Sequence, residues 1–190
     1  MANRILVNRL AHTAMALLVA LSFIAPQIAT AREPFTLDAV RAQVRKDYGS
    51  VAHLSANALV NIMRKEEEFL LIDVRGENEF AVSRIAGAER VDPGIWSKNF
   101  MARFGDDARG KMVVFYCSVG VRSSRLVANV QAALMEQGAK HVFNLDGGVF
   151  AWHNENRALE NAKGATDYVH PFDAHWGKLV RRQELLKSVP

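Results

Sequence analysis

The sequence contains a single cysteine, Cys117, among its 190 residues. One cysteine excludes an intramolecular disulfide, a CxxC redox pair and a zinc site built from four cysteines. Basic residues exceed acidic residues only slightly, 24 against 20, and they do not cluster, so composition gives no indication of a nucleic-acid-binding surface. Hydrophobic residues at 49% and charged residues at 23% are instead typical of a globular protein.

The N-terminal region has the layout of a secretory signal peptide. Arg4 and Arg9 precede an apolar stretch over residues 10–25, and residues 29–31 (Ala-Thr-Ala) provide a small-x-small cleavage site. The alternative is an uncleaved membrane anchor, but the apolar stretch is shorter than the roughly 20 residues that a bilayer-spanning helix needs. We therefore expect cleavage after residue 31, export to the periplasm, and no stable membrane insertion of the mature chain.

Short apolar runs alternate with helix-like segments along the rest of the chain, which favours an α/β fold whose parallel sheet is covered on both faces. The predicted strands are 51–54, 69–72, 112–116 and 141–145, and the predicted helices are 36–47, 55–65, 95–104, 123–137 and 148–152. The predicted organisation is a signal peptide (1–31), an N-terminal helical lead-in (32–49), a main domain (50–156) and a C-terminal extension (157–190). Within the extension we expect an apolar strap over 169–176 and a solvated surface helix over 178–187.

Cys117 lies where a predicted buried strand gives way to a loop and then to a helix. Ligands of open α/β sheets bind at the carboxyl ends of strands, and a loop entering a helix there directs backbone N–H groups into one small concavity. Such donors stabilise a thiolate and lower its pKa. Gly120 allows a tight turn, and Arg122 adds a permanent positive charge. A buried, inert cysteine is the alternative, but with these neighbours we favour a reactive thiol that acts on an anion.

Four sequence elements, in the same order, resemble motifs of the rhodanese family of sulfurtransferases. They are a CxxGxRS loop (117–123), a DVR…EF segment (73–75 and 79–80), an IxGA element (85–88) and a GGxxxW element (147–152). The resemblance covers roughly residues 50–156. It departs at Arg84, where the family often has histidine, and at Ser118, where many members carry a basic residue. The second departure removes one possible anion contact and bears on the choice of sulfur donor.

The resemblance implies a three-layer α/β domain with a five-stranded parallel sheet and a double-displacement reaction that requires no metal or organic cofactor. The catalytic Cys117 would take sulfur from a small anionic donor such as thiosulfate, and the resulting persulfide would pass it to cyanide or a thiol. The loop residues expected to bind the substrate are Ser118, Val119, Gly120, Val121 and Arg122. Arg75 is a further candidate for substrate contact, with an ion pair to Asp73 as the alternative.

Two other functions are compatible with these motifs. One is a non-catalytic rhodanese-like module that binds a partner, although such modules typically lack the cysteine retained here. The other is a thiol-based phosphatase or arsenate reductase, whose loop is one residue longer because it encloses a tetrahedral oxyanion. The six residues from Cys117 to Arg122 favour sulfur chemistry. No nucleic-acid partner is expected.

Overall fold

The computed structural model describes residues 34–65 and 68–188, and its centre is a five-stranded parallel sheet with the order β1-β5-β4-β2-β3. The strands of this sheet are β1 (His53–Leu54), β2 (Phe69–Asp73), β3 (Glu89–Arg90), β4 (Met112–Tyr116) and β5 (His141–Leu145). The helices are α1 (Leu37–Asp47), α2 (Ala56–Arg64), α3 (Glu77–Val82), α4 (Ser97–Phe104), α5 (Val121–Glu136) and α6 (Gly148–Asn154). The predicted α/β class and five-stranded parallel sheet are confirmed.

The central strand β4 is apolar throughout because both faces of the sheet are covered. Successive side chains point to opposite faces, so Val113 and Phe115 pack with α4 and α5, whereas Val114 and Tyr116 pack with α2, α6 and the C-terminal extension. All five strands run in the same direction, so their carboxyl ends share one edge of the sheet. The loops that follow β2, β4 and β5 therefore meet at that edge.

Side-chain caps set the starts of the first two helices close to the predicted positions. The Thr36 hydroxyl accepts a hydrogen bond from the Ala39 N–H, and the Ser55 hydroxyl accepts one from Ala58, each at 3.1 Å. The predicted signal peptide (1–31) lies outside the described residues. Within the ranges that the structure describes, no helix has the length and hydrophobicity needed to cross a bilayer.

The C-terminal extension contains the clearest correction to the predicted secondary structure. It consists of a hairpin of β6 (Leu159–Asn161) and β7 (Gly164–Thr166), followed by two 3₁₀ helices at Trp176–Leu179 and Gln183–Leu185. The surface helix predicted over 178–187 is wrong. Leu179 and the extended residue Val180 are buried against the domain, and this packing outweighs the helical propensity of the segment.

Candidate active site

Cys117 lies directly after β4, and the next three residues turn the chain into α5. The thiol is only 1% exposed and the two residues after it are buried, whereas Val121 at the start of α5 is 37% exposed. Gly120 has φ of +100°, a conformation that favours glycine, and a Cβ there would come 3.1 Å from Asn144 Nδ2. The tight turn therefore requires this glycine, as its place in the sequence indicates.

The start of α6 holds the carbonyl groups of this loop. The Val149 N–H donates to the Cys117 carbonyl oxygen at 2.9 Å, and the Phe150 N–H donates to the Ser118 carbonyl oxygen at 3.0 Å. Gly148 permits this approach, because it has a positive φ of +58° and a Cβ on it would collide with the Cys117 carbonyl and lie 2.7 Å from that of Ser118. The second glycine of the GGxxxW element thus fixes the shape of the cysteine loop.

The loop stabilises the negative charge of a Cys117 thiolate. Burial opposes ionisation, but the positive charge of Arg122 and hydrogen bonds from Ser123 and from the Val119 N–H outweigh it, so the pKa of Cys117 lies below its ordinary value. The Gly120 N–H also donates to Sγ at 3.2 Å. These donors lie at the N-terminus of α5, where the helix dipole favours negative charge. The fraction of nucleophilic thiolate is therefore larger than for an ordinary cysteine at the same pH.

The Ser123 hydroxyl remains available to this thiolate. It is fully buried, and apart from its interaction with Cys117 it has no hydrogen-bond partner in the described part of the chain. A buried hydroxyl without a partner is costly, so a sulfur atom that accepts a hydrogen bond from it gains a favourable contact.

Arg122 is held by a buried acid beside the loop. Its Nη1 and Nη2 donate to the two carboxylate oxygens of Glu79 at 2.8 and 2.7 Å, and Nη2 also donates to Ser118 Oγ at 2.9 Å. Burial opposes ionisation of Glu79, but the hydrogen bonds from Arg122, Ser118 and the Gly76 N–H keep its pKa below the ordinary value. The predicted loop residues therefore lie together, and the charge of Arg122 acts on both Cys117 and a carboxylate.

Arg75 lies two residues after β2, at the same sheet edge as the cysteine loop, and is fully buried. Its Nε and Nη2 donate to the Asp73 carboxylate at 2.8 and 2.6 Å, and Nη2 also donates to the Ser83 carbonyl oxygen. Burial lowers the pKa of Arg75, but the Asp73 charge outweighs this effect and raises it. A substrate contact needs an accessible guanidinium, so the structure favours the alternative in which Arg75 holds the turn after β2.

Comparison with known protein families agrees with this geometry. The family model for the rhodanese-like domain matches residues 55–155. The chain belongs to the rhodanese-like domain family. The matched region contains the cysteine loop, Glu79 and the glycine turn before α6, so every part of the site described so far lies inside the rhodanese-like domain.

Individual relatives of this rhodanese-like chain include named sulfurtransferases. The thiosulfate sulfurtransferase GlpE of Shewanella oneidensis is 33% identical over 107 residues, which cover 56% of this chain and 97% of GlpE. A tRNA uridine(34) hydroxylase of Bartonella quintana is 31% identical over 100 residues, which cover 48% of this chain but only 30% of the hydroxylase. The crystal structure of thiosulfate sulfurtransferase from Pseudomonas aeruginosa shares the fold, with a TM-score of 0.52 at 19% identity, covering 77% of this chain and 26% of that one.

Two parts of the rhodanese-like site carry little sequence signal of their role. Glu79 belongs to the DVR…EF segment, but its contact with Arg122 depends on how α3 packs against the loop. The second part lies in the C-terminal extension, where the Phe172 ring centre is 4.7 Å from Arg122 Cζ. His170 of the same segment lies near enough for the charges of Glu79 and Arg122 to act on its pKa, which burial lowers. No pattern in the sequence places these two residues beside the cysteine loop.

Proposed function

We propose that the chain is a sulfurtransferase that carries sulfane sulfur on Cys117 from thiosulfate or a related donor to cyanide or a thiol. The observation that carries this proposal is the Cys117 thiol enclosed by hydrogen-bond donors of a six-residue loop, with its pKa below the ordinary value. The 33% identity to GlpE, which is named a thiosulfate sulfurtransferase, supports the same reaction class.

The proposed reaction has two displacement steps. In the first, the Cys117 thiolate attacks the outer sulfur of thiosulfate, the sulfur–sulfur bond of the donor breaks, and its electron pair leaves with sulfite. In the second, cyanide or a thiolate attacks the outer sulfur of the persulfide, and the electron pair of the Sγ–S bond returns to Cys117. The two steps balance with the donor and the acceptor alone.

The residues around Cys117 stabilise the charge that moves between these sulfur atoms. The N–H groups of Val119 and Gly120 and the buried Ser123 hydroxyl surround Sγ, and they are positioned before the donor arrives. Donors fixed in this way lose no energy to reorganisation as charge develops, which is how an oxyanion hole acts on oxygen. Arg122 adds a positive charge on the same side.

Mass spectrometry of the purified protein after incubation with thiosulfate tests the proposal. We expect a gain of one sulfur atom on Cys117, its loss on addition of cyanide, and no gain in Cys117→Ser. An unmodified thiol with full binding of a partner would instead support a non-catalytic module. Hydrolysis of a phosphate ester or reduction of arsenate would support the phosphatase or reductase alternative.

We also propose that the mature protein is exported, since residues 1–31 have the charge and hydrophobicity pattern of a signal peptide. The test is to express the full chain in a bacterial host and to sequence the N-terminus of the protein recovered from the periplasm. A mature N-terminus near residue 32 supports export. Retention of the full-length chain in the cytoplasm or the membrane contradicts it.

A further inference from the structure

An aromatic ring from the C-terminal extension lies against Arg122 of the proposed active site. Phe172 is close enough to Arg122 for a cation–π interaction, with 4.7 Å between the ring centre and Cζ. Arg122 is thus bound between the carboxylate of Glu79 and this ring. Phe172 nevertheless remains 46% exposed. An apolar surface is therefore available directly beside the cysteine loop.

The position of this ring is fixed by its own segment. The Phe172 N–H donates to His170 Nδ1 at 3.0 Å, and the backbone turns there with φ of +66°, which is rare for an aromatic residue. Pro171 packs tightly against Gly177, where a Cβ would come within 2.9 Å of the proline Cβ. Val169 is fully buried, and its N–H and carbonyl each hydrogen-bond to the end of the extension at 3.0 Å. The ring is held beside the loop before any substrate binds.

Two positive side chains around the loop are each paired with an acid. Arg122 is paired with Glu79 at 2.7 Å, and Arg75 is paired with Asp73 at 2.6 Å. Ser118 supplies no charge at the position where many family members carry a basic residue. Arg122 still acts on Cys117, but the Glu79 carboxylate repels a negatively charged donor and reduces what the second charge of thiosulfate gains from this arginine. The loop N–H groups are further contacts for the donor anion.

We propose that Phe172 is a specificity-determining residue, and that the site favours organic thiosulfonates with an apolar group, R–SO₂–S⁻, over thiosulfate. This inference rests on the proposed sulfurtransferase function. A thiosulfonate replaces one charged oxygen of thiosulfate by R, so it carries one negative charge, and R packs on the exposed face of Phe172. The Cys117 thiolate attacks the terminal sulfur, the bond between that sulfur and the sulfonyl group breaks, and its electron pair leaves with the sulfinate R–SO₂⁻.

The experiment compares three donors with cyanide as the common acceptor: thiosulfate, methanethiosulfonate and benzenethiosulfonate. The kcat/KM for benzenethiosulfonate divided by that for methanethiosulfonate isolates the contribution of the apolar group. In Phe172→Asn we expect this ratio to fall about threefold to tenfold, the range that one aromatic contact contributes. Asparagine tolerates a positive φ, so the segment retains its conformation. Phe172→Tyr keeps the ring and should keep the ratio.

Tyr168→Asn is the matched control, because this residue belongs to the same extension and is similarly exposed, at 42%. Its ring lies 4.8 Å from the amine of Lys187, a cation outside the loop. We expect its donor ratio to stay within about twofold of wild type. Thermal unfolding of each variant confirms that the extension remains docked.

Glu79→Gln tests the claim that the acid paired with Arg122 disfavours the doubly charged donor thiosulfate. It removes the negative charge paired with Arg122, so kcat/KM for thiosulfate should rise relative to methanethiosulfonate, by about threefold or more. Sulfur addition to Cys117 with unchanged donor ratios in Phe172→Asn would overturn the inference and leave the proposed function intact. Failure of all three donors to modify Cys117 would overturn the proposed function and the inference together.

Discussion

The cysteine loop and the C-terminal extension both border the Arg122 guanidinium, but different forces hold them there. The loop is shaped by backbone hydrogen bonds to α6 and by Gly148, whose missing side chain lets the two backbones touch. Phe172 reaches the same guanidinium through the packing of Val169 and other side chains of a separate segment. The loop is therefore sensitive to a side chain added at Gly148, whereas the extension affects the site through the identity of one side chain.

Under the two proposals above, the loop carries out the reaction and the extension sets its specificity. In the proposed function, the loop holds the reacting sulfur and the donors that stabilise its charge, and these residues lie within the family match over 55–155. The extension follows that match, and it contributes an apolar surface without a group that reacts. We therefore expect changes in the loop to abolish activity or folding, and changes in the extension to alter which substrates are used.

The largest effect on activity is expected for Cys117→Ser, because it is the only thiol in the chain. A serine hydroxyl is not ionised near neutral pH and does not form a persulfide, so sulfur transfer from any donor to cyanide should fall to background. The melting temperature should stay close to that of wild type, since the oxygen occupies nearly the same volume. Residual transfer above that of a heat-denatured sample would contradict a role for Cys117 as the sulfur carrier.

The largest effect on stability is expected for Gly148→Ala. Its Cβ would collide with the Cys117 carbonyl, and its φ of +58° is unfavourable for alanine, so we expect a loss of about 3 kcal/mol or more in the free energy of unfolding, together with loss of activity. Chemical denaturation measures the first quantity.

Gly87→Ala is the matched control for that substitution. Gly87 also has a positive φ, +76°, but a Cβ at this position would have no atom of another residue within 4 Å, its chain neighbours aside. It should therefore lose only the conformational term, about 1–2 kcal/mol, and keep its activity. Equal losses in the two variants would show that contact between α6 and the loop does not determine the loop geometry.

The contrast between the cysteine loop and the C-terminal extension also explains how much of the molecule was predictable from the sequence. Cys117, Gly120 and Arg122 lie within one short motif, so their proximity follows from the chain itself. The apolar run of β4 likewise has few alternatives to a buried strand. By contrast, the contact between Glu79 and Arg122 depends on the packing of α3, which neither residue encodes locally.

The extension was less predictable because its conformation depends on burial. Residues 178–187 have a composition compatible with a helix, but burial of Leu179 and Val180 against the domain selects 3₁₀ turns and extended backbone. Arg75 was ambiguous for a similar reason. An arginine after a strand can face the substrate or an acid, and only the position of Asp73 distinguishes the two.

A smaller effect, and a pH dependence, are expected for Glu79→Gln. The pKa of Glu79 is lowered on folding, so its carboxylate contributes stability above the pKa of the unfolded chain, and this contribution is lost as the pH falls through the lower folded value. At neutral pH the variant should be about 1.5–3 kcal/mol less stable, the range for hydrogen bonds to a charged group. The difference from wild type should shrink in acid, as measured by denaturation at several pH values. A constant difference would indicate that the carboxylate charge is not responsible.

The smallest effect on stability is expected for the ion pairs that join α1 to Asp146, the residue after β5. Asp146 accepts hydrogen bonds from Arg41, at 2.6 Å, and from Arg45, and these partners lower its pKa although burial opposes ionisation. The arginines are partly exposed, so Asp146→Asn should lose no more than about 1 kcal/mol of stability. Asp38→Asn is the control, because Asp38 also pairs with Arg41 but is almost fully exposed, and the stability lost in this variant should be near zero.

Asp146 directly precedes the two glycines that shape the cysteine loop, so a small fall in kcat with every donor should accompany Asp146→Asn. A change in the donor ratio instead would show that α1, and not only the extension, determines specificity.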